Sequence, residues 1–167
     1  MIYSTRRASQ PFDVWKLGPD GSKPVAHVGG FYPSDARFSQ DEQWLAYGRP
    51  EVTSGAWRQT LYVSSPPFGE TRRAIAKAAS APRWRADGRE LFYLAENSTI
   101  VAIPVDPQGT PSDSPGETLF RAPGLAPTGV SGRVYDVTRD GQRFLLKREV
   151  EASPIYIVSN WNARLGR

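Results

Sequence analysis

The stretch Pro-Arg-Trp-Arg-Ala-Asp-Gly-Arg-Glu-Leu-Phe-Tyr at 82–93 is written twice more in variant form. Residues 36–47 read Ala-Arg-Phe-Ser-Gln-Asp-Glu-Gln-Trp-Leu-Ala-Tyr, and residues 135–146 read Tyr-Asp-Val-Thr-Arg-Asp-Gly-Gln-Arg-Phe-Leu-Leu. The shared aspartates Asp41, Asp87 and Asp140 stand 46 and 53 residues apart. Asp-Gly between two apolar runs is a hairpin signal, because glycine takes up the positive φ that such turns require. A period of this size marks a repeat architecture, and four-stranded propeller blades recur at roughly 40–50 residues. The sequence therefore predicts an all-β chain: a partial β-propeller of about three and a half four-stranded antiparallel blades, its ring not closed.

Working outward from the quoted stretch, 82–85 and 90–95 read as two strands joined by the turn at 86–89. A third strand follows at 99–105, and a proline- and glycine-rich loop leads to an outer strand at 117–120. The preceding unit repeats the plan at 36–39, 43–47, 59–63 and 72–75. Its turn carries Glu42 where the others have Gly88 and Gly141. A side chain there has to accept a left-handed backbone, at roughly 1 kcal/mol. The last unit supplies 135–138, 143–147 and 154–158. Ahead of them all, 1–5, 12–17 and 23–28 match the second, third and fourth strands of a blade. The units are thus a partial blade at 1–30, blades at 31–79 and 80–122, and a partial last blade at 123–167. The one helix-friendly run, 71–79, is too short to stand alone.

Both end units leave apolar faces and strand edges to be covered. The isolated chain is therefore not expected to be a well-closed monomer. The missing strands would come from a second copy or, the preferred reading, from an upstream segment of a longer polypeptide.

Composition narrows the chemistry. The 167 residues suit one domain, with fifteen glycines and fifteen prolines to punctuate short strands. The formal net charge is +4, a mildly basic surface for which solvation outweighs any polyanion preference. Cysteine is absent, which removes disulfides, thiolate chemistry and cysteine-based metal sites. No stretch approaches eighteen apolar residues, and residues 1–7 have no apolar core behind a charged start, so neither a membrane span nor a signal peptide is expected. The compartment is periplasmic if the chain is attached to a membrane-anchored parent, and cytoplasmic otherwise.

The lone His27 lies in an expected outer strand, and no Gly-x-Ser-x-Gly elbow offers it a serine. A surface or interstrand role outweighs a catalytic one. The formal sequon at 97–99 carries no weight here. Asp41, Asp87 and Asp140 belong to two-strand turns without further acidic positions, so bonding the turn's own amides outweighs metal binding. No cofactor and no enzymatic activity are expected.

The aromatics divide by register. Phe38, Trp84 and Val137 share one position relative to the turn aspartates and are expected to be buried between blades on the innermost strands. Trp44 holds a slot occupied by Glu90 and Arg143 elsewhere and is expected to face solvent or a partner; Trp57, Tyr156 and Trp161 are expected to be exposed. Arg83, Arg85 and Arg89 crowd one hairpin, with Arg139, Arg143, Lys147 and Arg148 around the next. They outline a candidate cationic patch near the propeller axis, for which a solvated surface is the plainer explanation. Nucleic-acid binding would need aromatic platforms interleaved with these arginines, whereas the aromatics read as core. The leading expectation is a non-catalytic module binding a protein or a small ligand at its loop face. The alternative is the accessory propeller of a prolyl-oligopeptidase-like hydrolase or of a propeller lyase.

The units resemble the TolB-type, WD-like propeller repeats of bacteria. That pattern is an aromatic or small residue, Ser-Pro-Asp-Gly, a basic residue, then an apolar strand ending in tyrosine or phenylalanine. Here it stands as Phe-Ser-Gln-Asp at 38–41, Trp-Arg-Ala-Asp-Gly at 84–88 and Val-Thr-Arg-Asp-Gly at 137–141. Together with Phe-Asp-Val-Trp at 12–15 and a closing Asn-Trp at 160–161, the order resembles the C-terminal end of propellers attached to bacterial serine/threonine kinases and related sensory proteins. The resemblance implies a sensory or interaction module beside an N-terminal kinase domain. The chain itself has no Gly-rich loop, His-Arg-Asp loop or Asp-Phe-Gly.

Overall fold

The computed structural model describes residues 2–5, 13–16, 25–28, 34–53, 55–68, 70–125 and 134–147. Among them are thirteen strands and no helix, and so no helix long and apolar enough to cross a membrane. The expected strand at 154–158, together with Arg148, Tyr156 and Trp161, lies outside the described residues.

The strands form antiparallel meanders. β1 (Ile2–Thr5), β2 (Asp13–Lys16) and β3 (Val25–Val28) make a three-stranded sheet. β4 (Ser34–Phe38), β5 (Leu45–Thr53), β6 (Ala56–Ser64) and β7 (Arg72–Lys77) follow as a four-stranded sheet in chain order. β8 (Ala79–Trp84), β9 (Glu90–Ala95), β10 (Thr99–Pro104) and β11 (Glu117–Arg121) repeat it, and β12 (Tyr135–Val137) and β13 (Phe144–Leu146) begin another. The chain is a partial β-propeller whose described blades do not close into a ring. The helix-friendly run at 71–79 is β7 and the start of β8, because its backbone pairs with β6 and Ile75 and Ala76 pack on the core.

The period-two alternation of a strand explains why the sheets stack. In β9, Leu91 and Tyr93 join Ala46, Leu61 and Val63 of the preceding blade, while Phe92 and Leu94 pack with Tyr135 of the next. β10 divides likewise, Val101 and Ile103 to one side, Ile100 and Ala102 to the other. β5 sends Ala46 forward and Leu45 and Tyr47 back, the last against the Tyr62 ring at 6.0 Å. Each such side chain, fully buried, contributes about 2 kcal/mol of transfer free energy. A blade with two apolar faces is stable only between neighbours.

Backbone detail repeats with the sequence. Ser39, Arg85 and Thr138 each accept from the turn residue three places on, Glu42, Gly88 and Gly141, at 2.9–3.0 Å. Those three residues are left-handed, with φ of 58, 73 and 74°, so Glu42 does take the conformation its glycine counterparts prefer. Asp41, Asp87 and Asp140 each accept from the backbone N–H two residues on, at 3.0–3.1 Å, as expected of turn aspartates. Asp35 and Ala81, also 46 apart, are both left-handed (φ 53 and 54°), and the inner strands shift register across them. Such a bulge strengthens twist and re-aims the residues beyond it.

Phe38, Trp84 and Val137 hold equivalent positions, pairing with Leu45, Leu91 and Phe144. They are half-buried rather than buried, because they lie at the strand ends beside the turns. Tyr135 is 2% exposed, and its hydroxyl finds no hydrogen-bond partner among the described residues. An unsatisfied buried hydroxyl costs about 1–3 kcal/mol. Tyr135→Phe should therefore melt at or above the parent, while Leu91→Ala loses about 2–5 kcal/mol through the cavity it leaves. Denaturant unfolding of both variants checks this, and a strongly destabilised Tyr135→Phe would show that the hydroxyl is bonded.

Candidate functional site

The inner strands β4, β8 and β12 bring the charged side chains of three blades together. The bulges at Asp35 and Ala81 immediately precede Arg37 and Arg83 in the register. Arg83 is 5% exposed: its Nη1 donates to Asp35 Oδ2 at 3.1 Å and to the Pro82 carbonyl at 2.7 Å. Its Nη2 donates to the Tyr135 carbonyl at 3.2 Å, its Nε lies 3.6 Å from Asp136 Oδ1, and its guanidinium sits 5.4 Å from the Tyr135 ring centre. Asp35 also pairs with Arg37 at 2.7 Å. A buried guanidinium is tolerable only when paired and hydrogen-bonded, and one blade could not provide these partners alone. Burial pushes the Tyr135 phenol far above its ordinary pKa, with the nearby Arg83 opposing.

Of the five arginines read from the sequence, Arg83, Arg85 and Arg139 line one cleft, and Arg89 and Arg143 do not. Arg83 is a buried clamp with carboxylates on both sides. Arg85 is held by Asp87 through Nε and Nη2, at 2.7 and 2.6 Å, and by Glu90 at 2.8 Å. Its stem lies against Gly141, where a Cβ would come within 2.8 Å of Arg85 Cδ. Arg139 is exposed, and its carbonyl accepts from Ala86 N at 3.2 Å, joining two turns. Arg89 and Arg143 are exposed and do not line the groove described next; their backbones serve the turns. The arginines read as a surface feature because arginine is rarely buried, and the partners of Arg83 lie 48 and 53 residues away.

Two clefts open at this turn end of the blades. One, about 260 Å3, runs beside the axis and is lined by Arg37, Arg83, Arg85, Asp136, Arg139 and Gln40, among others. The second, about 240 Å3, lies between the turns of two blades and is lined by Ser39, Asp41, Asp87, Gly88 and Gly109. Gln40, Trp84 and Ala86 border both. Trp84 stays in place because its Nε1 donates to the Arg37 carbonyl at 3.0 Å. Arg85 first, with the Arg89 amide, holds the Asp87 carboxyl down to about 2, and Ser39, with the Gln43 amide, lowers that of Asp41. Sequence reasoning missed Gln40, Trp84 and Asp136 as lining residues; the register shared by Arg37, Arg83 and Asp136 was the available signal. The clefts can hydrogen-bond a polar ligand, and among the described residues no three His, Cys, Asp or Glu side chains gather as a metal site would need.

Trp44 does not face solvent. It is half-buried against the first core cluster, with its indole on Gly109, where a Cβ would meet Nε1 at 2.6 Å. The missing Cβ at Gly109 is what admits the ring. Trp57 is 72% exposed, as expected.

No protein-family model matches the sequence, and no curated protein matches it. Among solved structures, the chain is similar to TolB from Acinetobacter baumannii, with a TM-score of 0.54 at 19% identity over 86% of this chain and 34% of that one. It is also similar to the tricorn protease, with a TM-score of 0.47 at 18% identity over 72% of this chain and 15% of that one. The chain thus spans about a third of the TolB structure's length, and at this identity the likeness to TolB supports the propeller fold alone.

Two outcomes follow from this geometry. Removing Arg83 takes the donor from the Pro82 and Tyr135 carbonyls, breaks its pairs with Asp35 and Asp136 and empties a buried site, so Arg83→Ala should cost about 3 kcal/mol in denaturant unfolding. The depressed carboxyl of Asp87 contributes stability that is present above its ordinary value of 3.8 and lost as pH falls towards about 2. Asp87→Asn should therefore melt below the parent at neutral pH, with the gap closing between about pH 4 and pH 2. Thermal melts across that range check the sign; a gap that stays constant would contradict the pairing.

Proposed function

We propose that this chain is a non-catalytic binding module that holds an extended polar segment of a protein, or a small polar ligand, at the turn end of its blades. The observation that carries the reading is the axial cleft, walled by three successive blades. Its walls are rigid because Arg83, Arg85 and Trp84 are fixed by bonds within or between blades, so little order has to be imposed on binding. Three of its four arginines, Arg37, Arg83 and Arg85, are paired with carboxylates, which argues for hydrogen-bonded recognition of a dipolar chain over capture of a polyanion. The absence of cysteine and the single histidine support a role without chemistry of its own. The resemblance to kinase-attached propellers supports placing the module in a longer protein as its sensory or interaction part.

Panning a displayed random-peptide library against the purified chain tests this. Selected peptides should lose at least tenfold in affinity on Arg139→Glu, which reverses the exposed charge of the axial cleft. Peptides that bind equally well to Arg139→Glu and to the parent would contradict the assignment of the site.

A further inference from the structure

The hairpin joining β5 to β6 is longer than its blade requires. Among the described residues β4 pairs with β5 as far as Gly48, and β7 accompanies β6 only from Thr60. β5 and β6 nevertheless pair with each other out to Thr53 and Ala56. The matching hairpin of the next blade closes at Ala95 and Thr99. The ribbon formed by 49–53 and 55–60 therefore runs about 14 Å beyond the end of β7, at about 3.4 Å per residue.

An isolated two-stranded ribbon is marginal in water, and this one is braced on one face. Glu51 accepts from Thr60 Oγ1 at 3.0 Å and from the Tyr62 hydroxyl, and Arg58 pairs with Glu96 on the next blade's hairpin. The opposite face carries Val52 and Trp57, directly paired across the strands and 61% and 72% exposed. Tryptophan is among the residues most enriched at binding hot spots, and a braced ribbon presents it with little left to order. The hairpin end of the blades is positive: Arg49, Arg58, Lys77 and Arg121 stand there against Glu51 and Glu96.

The opposite end of the same blades is complementary. The cleft between the turns has Asp41 and Asp87 in its lining, no lysine or arginine, and Trp84 as a wall. Asp87 is engaged by Arg85, whereas Asp41 carries no ion pair among the described residues. Its 240 Å3 equals the liquid volume of about eight waters, room for one indole.

We infer that the ribbon of one copy docks, Trp57 foremost, into the Asp41–Asp87 cleft of a second copy, so that the chain associates head to tail. The inference rests on the turn end being the binding face, and names the occupant of the cleft beside the axial groove. Ribbon and cleft lie at opposite ends of the blades, so the interface is heterologous: a pair of copies keeps one free cleft, on the copy whose knob is docked, and one free knob, on the other. The net positive charge of the hairpin end attracts the acidic cleft, and the attraction weakens with salt.

Sedimentation velocity over a concentration series tests this with two single variants. Trp57→Ala removes the knob and keeps the cleft; Gln40→Arg fills the shared border of the cleft with a cation and keeps the knob. Both residues are exposed, so both variants should melt with the parent. The parent should sediment faster as concentration rises and slower as salt is added. Each variant alone should associate at least tenfold more weakly, and an equal mixture should form a heterodimer that grows no further, since only one knob and one intact cleft remain to meet. A parent that is monomeric throughout, a variant that assembles like the parent, or a mixture that stays monomeric overturns the inference. Selected peptides that bind Trp57→Ala as they bind the parent, without any self-association of the parent, would overturn it while leaving the turn-end reading in place.

Discussion

β9 carries Leu91 and Tyr93 to one side and Phe92 and Leu94 to the other, and all four are buried. The rest of the structure depends on this two-sidedness. A sheet that is apolar on one face can rest on a core and show water its other face; a sheet that is apolar on both has to be sandwiched. Each blade of this chain is therefore a stable object only within a stack. The stacking in turn places every inner strand beside the next, which brings β4, β8 and β12 within reach of one another's side chains.

Apolar stacking does not fix how far one blade is turned relative to its neighbour, and the polar contacts of the inner strands supply that. Arg83 meets Asp35 on one side and Asp136 and the Tyr135 carbonyl on the other, and Trp84 meets the Arg37 carbonyl. These bonds are directional, so a slip between blades would strand a buried guanidinium. The same bonds define the walls of the axial cleft. The residues that hold the blades in register thus also shape the surface open to a ligand.

Features set by neighbours in sequence were legible without coordinates. The aspartates bond amides two residues away, and the left-handed positions at Glu42, Gly88 and Gly141 are decided within the turn itself. The antiparallel meanders followed from the alternation. Features set by residues about fifty positions apart were not legible. Arg83 reads as a surface cation until Asp35 and Asp136 are placed around it, and Trp44 reads as exposed until Gly109 of the next blade arrives beneath it. The ribbon was not read from the sequence either, which placed strands at 43–47 and 59–63 and nothing regular between them.

The central claim is that stability resides in the faces shared between blades, and native-state hydrogen exchange tests it most directly. If the account holds, the amides of β9 and β10, buried on both faces, exchange slowest and open together in one cooperative event, while those of the 49–60 ribbon exchange fast. Ribbon amides as protected as those of β9, or β9 and β10 opening independently of each other at low cost, would contradict it.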